Sequence, residues 1–302
     1  MPEPTAAPGC SIADALGEAT ERLARAGLAD PRREVRSLWA AVAGGGLKAG
    51  DVWLGRDRAA APDVADRFRA AVERRASGVP FAYAVGRTDF RTLELALDPR
   101  ALIPRPETEG LVELVLREAG KGEGGRGTGR VVADVGTGCG CIALSLAVEG
   151  QFDRVIAVER SPGAAALARE NVARVRPPVP VQVRAGDLLA PLVGERLRAI
   201  VSNPPYLTEM EYAALDPAVR LFEPREALVS GPDGLEATRA LLAGARALLE
   251  PGGLLALEID ERRADAVRAL ARGYNWLRVD VHDDLFGRPR FVLASLGDGG
   301  GT

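Results

Sequence analysis

Histidine and cysteine are scarce in this sequence, with one histidine and three cysteines among 302 residues. Structural zinc sites are usually built from sets of cysteine and histidine, and Cys139 and Cys141 with the single His282 make a poor set of ligands. No metal is therefore expected, and both cysteines are interpreted as small packing residues. The cysteines also lack the spacing of a disulfide framework, which favours a reducing compartment and a cytoplasmic location.

Positively charged residues are also not in excess. The sequence has 39 Lys and Arg against 42 Asp and Glu, with a net charge of −3 and a pI near 5.5. Domains that bind nucleic acid are usually basic, so no direct nucleic-acid partner is expected. No apolar run reaches the ~18 residues of a membrane span, and residues 1–8 lack the pattern of a signal peptide. No association with membranes is expected.

The chain is longer than one typical domain, so two domains are expected. The predicted segments are a helical domain over residues 1–80, a β-hairpin linker over 81–103 and a larger domain over 104–302. Helices are predicted over residues 11–26, 33–43 and 62–77. The hairpin is predicted from residues 83–85 and the alternating leucines of residues 93–97. The glycine-rich stretch 120–129 is predicted to be a flexible surface loop.

Apolar strands alternate with helices from about residue 107, which is typical of an α/β domain with a mainly parallel sheet. The predicted strands cover residues 131–135, 155–159, 181–183, 197–202, 254–259, 277–281 and 290–296. The expected fold is a doubly wound, mainly parallel sheet of seven strands. Ligands of such sheets bind beyond the carboxyl ends of the strands, where Gly136, Glu159, Asp187 and Asn203 all lie.

The glycine-rich turn Gly136-Thr137-Gly138-Cys139-Gly140 follows the first of these strands, and a helix is predicted to begin directly after it. Glycine tolerates positive φ and lets a ligand approach the backbone, and a helix N-terminus favours a negatively charged group such as a carboxylate. The spacing differs from the G-x-G-x-x-G pattern of dinucleotide enzymes. The pattern therefore indicates a ligand loop without naming the ligand.

Glu159 ends the next strand, about 20 residues after the glycines, where an acidic residue can bind ribose hydroxyls. Together with the glycine loop it predicts a cofactor that contains a nucleoside. Asp134, just before the loop, is open to two interpretations. Its carboxylate either contacts the ligand or holds the backbone of the loop.

The segment Asn203-Pro204-Pro205-Tyr206 follows an apolar strand. The two prolines fix φ and remove two backbone donors, which leaves the Asn203 side-chain oxygen, the Pro204 carbonyl and the ring of Tyr206 facing outward. Two acceptors beside an aromatic face suit a planar group that carries an NH2, either an amide or the exocyclic amine of a base. The alternative is a turn that only ends the strand.

These motifs resemble the Rossmann-like S-adenosylmethionine (AdoMet) methyltransferases, and the whole chain is similar to the release factor glutamine methyltransferase family, HemK/PrmC. The segments that carry the resemblance are residues 103–109, 134–140, 203–206, 222–228 and 231–235, and it extends over residues 30–296. The sequence departs from the family pattern at Asp260 and Arg263, where glycine and glutamine are usual. It also has Glu159 in place of the commoner aspartate. Arg262 and Arg263 are interpreted as a solvated helix face.

The resemblance implies that AdoMet binds and leaves as S-adenosylhomocysteine. The residues implied to contact this cofactor are Asp134, Gly136, Thr137, Gly138, Cys139, Gly140, Glu159, Asp187, Leu188 and Asn203. Within that set, Leu188 is expected to line the adenine pocket and Asp187 to accept from the adenine amine.

The resemblance further implies the substrate, which is the glutamine of the Gly-Gly-Gln motif of class I peptide chain release factors. Asn203, Pro204, Pro205 and Tyr206 are expected to bind its side-chain amide, with Asn203, Pro204 and Tyr206 acting in catalysis. The helical domain is expected to help seat this protein substrate, and the enzyme is expected to be a monomer. The alternatives are a ribosomal-protein glutamine methyltransferase, an adenine-amino methyltransferase of nucleic acid, and a non-enzymatic AdoMet-binding interaction protein.

Two further charged motifs have alternative interpretations. Arg105 and Glu107 either start a helix, whose N-terminus favours acidic residues, or cover the cofactor site. Glu223 and Arg225 are interpreted as a structural salt bridge.

Overall fold

The computed structural model describes residues 11–120 and 130–296. The chain divides into two compact units, Met1–Gly86 and Arg87–Thr302. The loop predicted over residues 120–129 lies outside the described residues, except for Gly120, and residues 1–8 lie outside them too. No helix in the described ranges is both long enough and apolar enough to span a membrane.

The first unit is helical, with α1 (Ile12–Arg25), α2 (Pro31–Ala43), α3 (Ala49–Leu54), α4 (Pro62–Ala76) and α5 (Phe81–Val85). Ser11 caps α1 by accepting a backbone hydrogen bond, and Pro31 and Pro62 begin α2 and α4, where a proline needs no N–H. In the core, the rings of Trp39 and Phe68 pack edge to face with centroids 4.9 Å apart. The three predicted helices are present, whereas α3 and α5 were not expected.

The prediction that residues 83–85 form a hairpin strand is wrong, because they belong to α5. Gly86 ends this helix with a φ of 76°, a left-handed conformation that glycine adopts readily. The hairpin instead pairs β1 (Arg87–Phe90) with β2 (Leu93–Ala96), within the second unit. A short apolar run is compatible with either a helix or a strand, and here it forms a single helical turn.

The second unit is built around seven further strands. They are β3 (Val131–Val135), β4 (Arg154–Glu159), β5 (Val181–Ala185), β6 (Leu197–Ser202), β7 (Leu249–Glu258), β8 (Arg278–Asp283) and β9 (Pro289–Ser295). Their order across the sheet is β5-β4-β3-β6-β7-β9-β8. The first five are parallel to one another, and β9 is antiparallel to both β7 and β8. The predicted, mainly parallel seven-stranded sheet is confirmed.

Helices connect and cover these strands. They are α6 (Thr108–Ala119), α7 (Cys141–Glu149), α8 (Pro162–Val175), α9 (Glu209–Ala213), α10 (Pro217–Phe222), α11 (Glu236–Gly244) and α12 (Ala264–Gly273). Successive side chains of a strand face opposite sides of the sheet. Ala133 and Val135 pack in one core with Leu241 of α11 and Val267 of α12. Asp134 lies between them in sequence and accepts a hydrogen bond from the start of α7.

The carboxyl ends of β3, β4, β5 and β6 lie side by side at one edge of the sheet. Ser202, the last residue of β6, reinforces this edge because its hydroxyl donates to the Val135 carbonyl at 2.7 Å. Residues that directly follow these strands are therefore held close together.

Candidate active site

A cavity of about 470 Å³ opens at the carboxyl edge of the sheet, a size typical of small-molecule sites. The predicted site residues that line it come from four strand ends: Gly136, Gly138, Glu159, Asp187, Leu188, Asn203, Pro204 and Pro205. The structure thus brings together residues up to 69 positions apart in the chain. Asp134, Thr137, Cys139, Gly140 and Tyr206 are not among the described residues that line the cavity.

The glycine-rich loop turns through three residues of positive φ, Gly136 at 75°, Gly138 at 58° and Gly140 at 90°. The amides of Gly136 and Thr137 both donate to the Val158 carbonyl, at 2.9 and 3.0 Å. A Cβ added to Gly136 would meet nothing within 4 Å, so its backbone borders open space. The loop backbone is therefore accessible from the cavity at Gly136, and contact with a ligand there stays a prediction.

Asp134 holds this loop from behind. Its Oδ2 accepts from the Thr137 hydroxyl at 2.5 Å and from the Ala143 amide at 3.0 Å. Asp134 is fully buried, and burial raises its pKa to about 7 because the charged form is poorly solvated. Of the two interpretations of Asp134, this geometry favours the one in which its carboxylate holds the loop backbone.

The other predicted loop residues that do not line the cavity also have internal partners. Cys139 is buried, and its carbonyl accepts from the Asn171 side chain at 2.9 Å. The same Asn171 pairs with both backbone groups of Ala96 in β2, and Gly140 caps the start of α7. The hairpin therefore braces the glycine loop through Asn171, which was not predicted from sequence.

Glu159 is buried and lines the cavity, and its carboxylate accepts hydrogen bonds from two backbone amides. Its Oε2 accepts the Gly138 N–H at 2.9 Å, and its Oε1 accepts the Ser161 N–H at 2.8 Å. A carboxylate oxygen can accept more than one hydrogen bond, so each oxygen can still bind a ligand hydroxyl. Glu159 therefore positions the glycine loop as well as facing the cavity.

Asp187 and Leu188 follow β5 at the next part of the wall. Leu188 has a φ of 44°, unusual for a leucine. The Asp187 carboxylate is largely exposed and lies 4.0 Å from Arg160, which also lines the cavity. Sequence reasoning missed Arg160, although it directly follows the predicted Glu159.

Asn203 is anchored by a helix from elsewhere in the chain. Its Nδ2 donates to the Thr108 hydroxyl oxygen at 3.1 Å, and that hydroxyl donates to Glu258 Oε2 at 2.7 Å. Burial raises the pKa of Glu258 to about 7. Neither Thr108 nor Glu258 was predicted as a site residue. Thr108 lies within the family-like segment 103–109, and Glu258 ends a predicted strand.

The rest of the Asn203–Tyr206 segment is held by backbone contacts. The amides of Tyr206 and Leu207 donate to the Leu228 carbonyl at 3.2 and 2.9 Å. Tyr206 is partly buried, and burial raises its pKa to about 12. Pro204 and Pro205 line the cavity, whereas stacking of the Tyr206 ring on a substrate stays a prediction.

Glu223 joins two family-like segments, residues 103–109 and 222–228. Its buried carboxylate lies 2.8 Å from Arg105 and accepts the Ile103 amide at 3.1 Å. The predicted pairing of Glu223 with Arg225 is wrong, because Arg225 pairs with Glu209 instead. The structural role inferred for Glu223 nevertheless agrees with its burial.

Asp260 and Arg263 belong to one ion-pair network. Arg263 contacts Asp260 at 3.2 Å and Glu211 of α9 at 2.6 Å, and its Nε donates to the Asp233 carbonyl at 2.9 Å. Arg263 is only 11% exposed, so the expectation of a solvated arginine is wrong for this residue. The network ties the turn after β7 to the segment that follows Asn203.

No group of three or more His, Cys, Asp or Glu side chains suited to a metal occurs in residues 11–120 and 130–296. The polar groups that line the cavity include backbone amides, carboxylates and the side-chain amide of Asn203. These groups suit an organic ligand with hydroxyl and amino groups.

Two family models match the chain, the PrmC N-terminal domain over residues 14–86 and the methyltransferase small domain over residues 123–279. The release factor glutamine methyltransferase of Moorella thermoacetica is 42% identical over 287 residues, which is 94% of this chain and 98% of that protein. That of Deinococcus radiodurans is 41% identical, covering 95% and 99%. A solved methyltransferase from Pyrococcus furiosus, 22% identical with a TM-score of 0.50, covers 68% of this chain and 89% of its own. That last likeness shows the fold alone.

Proposed function

The chain belongs to the release factor glutamine methyltransferase family, and we propose that it methylates the side-chain amide nitrogen of a release-factor glutamine. The methyl donor is S-adenosylmethionine, and the target is the glutamine of the Gly-Gly-Gln motif. The observation that carries this assignment is the identity of 42% over 94% of the chain to a protein of that name. The position of Asn203 in the cavity wall supports it.

The cavity has the groups that S-adenosylmethionine requires. The loop of Gly136 and Gly138 and the N-terminus of α7 suit the carboxylate of its methionine part. Glu159 suits the ribose hydroxyls, and Asp187 with Leu188 suits the adenine. These assignments rest on chemistry and position, since all five of these residues line one cavity.

Bound S-adenosylmethionine supplies an activated methyl group on a positively charged sulfur. An amide nitrogen is a weak nucleophile because its lone pair is delocalised into the carbonyl. The Asn203 oxygen and the Pro204 carbonyl can accept the two N–H bonds of the glutamine amide and direct that lone pair towards the methyl carbon. The nitrogen would become positive as the C–N bond formed and the C–S bond broke, and it would then release one N–H proton to water because a protonated amide is strongly acidic. Both acceptors then bind more strongly in the transition state than in the ground state, which is the condition for catalysis.

The helical unit is proposed to seat the protein substrate. It is a compact body with its own core, and a small cofactor does not require it. Deleting residues 1–86 is expected to leave S-adenosylmethionine binding in place and to abolish methylation of the intact release factor. Circular dichroism verifies that the remaining unit is folded. Methylation by the shortened chain at the full rate would exclude this role.

The function is tested by incubating the protein with methyl-labelled S-adenosylmethionine and, separately, release factor, ribosomal protein or DNA. Mass spectrometry then maps the modified residue. Label on the Gly-Gly-Gln glutamine is the expected result. Label on a ribosomal-protein glutamine or on adenine would contradict the assigned substrate. The proposal places the enzyme in the cytoplasm as a monomer, which gel filtration and cell fractionation examine.

A further inference from the structure

Three side chains from distant segments form a hydrogen-bonded chain that ends at the cavity. Asn203 follows β6, Thr108 begins α6 and Glu258 ends β7, and the links measure 3.1 and 2.7 Å. Thr108 is 2% exposed and Glu258 is 1% exposed. Asn203 is the member of the chain that lines the cavity.

The chemistry of this chain determines which end of the Asn203 amide faces a ligand. A threonine hydroxyl has one hydrogen to donate, and its oxygen can accept. A carboxylate can only accept, so it engages that hydrogen and leaves Thr108 as an acceptor towards Asn203. The amide nitrogen must then face Thr108, which leaves the amide oxygen for the substrate.

We propose that Glu258, acting through Thr108, is a positioning residue that holds the Asn203 amide with its oxygen towards the substrate nitrogen. This inference rests on the proposed function, because only a substrate that donates N–H bonds needs this orientation. If Glu258 lost its negative charge, the Thr108 hydroxyl would be free to donate to the Asn203 oxygen. The turned amide would then present its own NH2 to the substrate NH2, and two donors cannot pair.

The surroundings of Glu258 make its charge adjustable near neutral pH. Burial raises its pKa to about 7, opposed by the Thr108 hydrogen bond and by the positive charges of Arg290 and Arg105, while Glu107 raises it further. Tyr206 is a further titratable neighbour, whose own pKa is raised by burial and by the charge of Glu258. Below this pKa the Glu258 carboxyl is uncharged and cannot hold Asn203 in the orientation described above. Acid should therefore weaken methyl transfer without removing the cofactor.

The first test compares Thr108→Val with Thr108→Ser, which differ in whether the hydroxyl is present. Loss of a partner that orients a metal ligand typically lowers activity on the order of tenfold to a hundredfold, and a fall in kcat of the same order is expected for the valine variant. The serine variant should recover most of kcat, and both should bind S-adenosylmethionine as wild type does. Thr238→Val is the matched control, since Thr238 is an equally buried helical threonine that does not line the cavity. Equal kcat in the valine and serine variants would overturn the proposal.

The second test uses Glu258→Gln, whose side chain has nearly the same shape but can either donate or accept. We expect kcat of the wild type to rise with pH through about 7, and the variant to lack this rise and to remain low. A persisting rise in the variant would assign the titration to another group and overturn the proposal.

A third measurement does not depend on the substrate. With asparagine labelled in ¹⁵N, the Asn203 side-chain signals are identified by their loss in Asn203→Ala. We expect these signals to shift with a midpoint near pH 7 in the wild type and to stay constant in Glu258→Gln and Thr108→Val. An unchanged titration in both variants would contradict the positioning role even if release factor proved not to be the substrate. A titration that both variants abolish would support it in that same case.

Discussion

The backbone N–H of Gly138 donates a 2.9 Å hydrogen bond to Glu159 Oε2, so one carboxylate joins the glycine loop to the end of β4. The other oxygen of Glu159 accepts from Ser161 at the start of α8. The binding of a cofactor to Glu159 therefore also depends on the loop conformation that Glu159 maintains. A substitution of Glu159 should weaken cofactor binding both by removing a direct contact and by loosening the loop.

Glu159→Ala should weaken S-adenosylmethionine binding, because it removes the acceptor for ribose hydroxyls and releases the Gly138 amide. Hydrogen bonds to charged groups each contribute about 1.5–3 kcal/mol, so a loss of affinity of roughly tenfold to a hundredfold is expected. Isothermal titration calorimetry measures it. Glu159→Gln keeps an acceptor oxygen but loses the charge, so its affinity for S-adenosylmethionine should lie between those of the wild type and the alanine variant. An alanine variant with wild-type affinity would contradict the assignment of Glu159.

Gly138→Val should abolish detectable binding of S-adenosylmethionine. Gly138 has a φ of 58°, which a β-branched residue adopts poorly, and the new side chain would enter the cavity that Gly138 lines. Gly194→Val is the matched control, because Gly194 also has a positive φ of 89° but is exposed and lies away from the cavity. Calorimetry should show binding in the control alone, and equal affinity in both variants would exclude this placement of the cofactor.

Asn203→Ala should preserve the fold and most cofactor affinity but lose methyl transfer. The variant removes a preorganised acceptor whose loss typically lowers the rate about a hundredfold or more. Single-turnover assays with release factor and labelled S-adenosylmethionine measure the rate, and calorimetry verifies cofactor binding. Turnover close to that of the wild type would show that another group orients the substrate amide.

Glu258→Gln should alter how stability depends on pH. The folded pKa of Glu258, about 7, lies above its ordinary value of 4.5, so the folded state holds this proton more tightly than the unfolded state. The free energy of unfolding should therefore fall as pH rises from about 4.5 to about 7. Urea unfolding measures this free energy at pH 5 and at pH 8. Between these two pH values, the free energy of unfolding of the variant should rise relative to that of the wild type by on the order of 3 kcal/mol. The control is Glu261→Gln, which removes the same type of charge from an exposed position.

Much of the sheet could be predicted because buried parallel strands have a strong local pattern. The apolar runs that form β3, β4 and β6 end at glycine, glutamate or asparagine, and ligand groups at strand ends follow from the α/β topology alone. Short elements were harder to predict. Helices α9 and α10, which lie between Asn203 and α11, have no more than six residues each, too few to show a helical period.

The sequence by itself determined the loop of Gly136 to Gly140, the acid at residue 159 and the Asn203–Tyr206 segment, because each is a continuous stretch with its own chemistry. Only the tertiary structure decided their partners. Thr108 meets Asn203 across 95 residues and Glu258 across 150, and Arg105 meets Glu223 across 118. Hydrogen bonds and ion pairs depend on distance in space rather than along the chain. The orientation of Asn203 is therefore established only when β6, β7 and α6 come together.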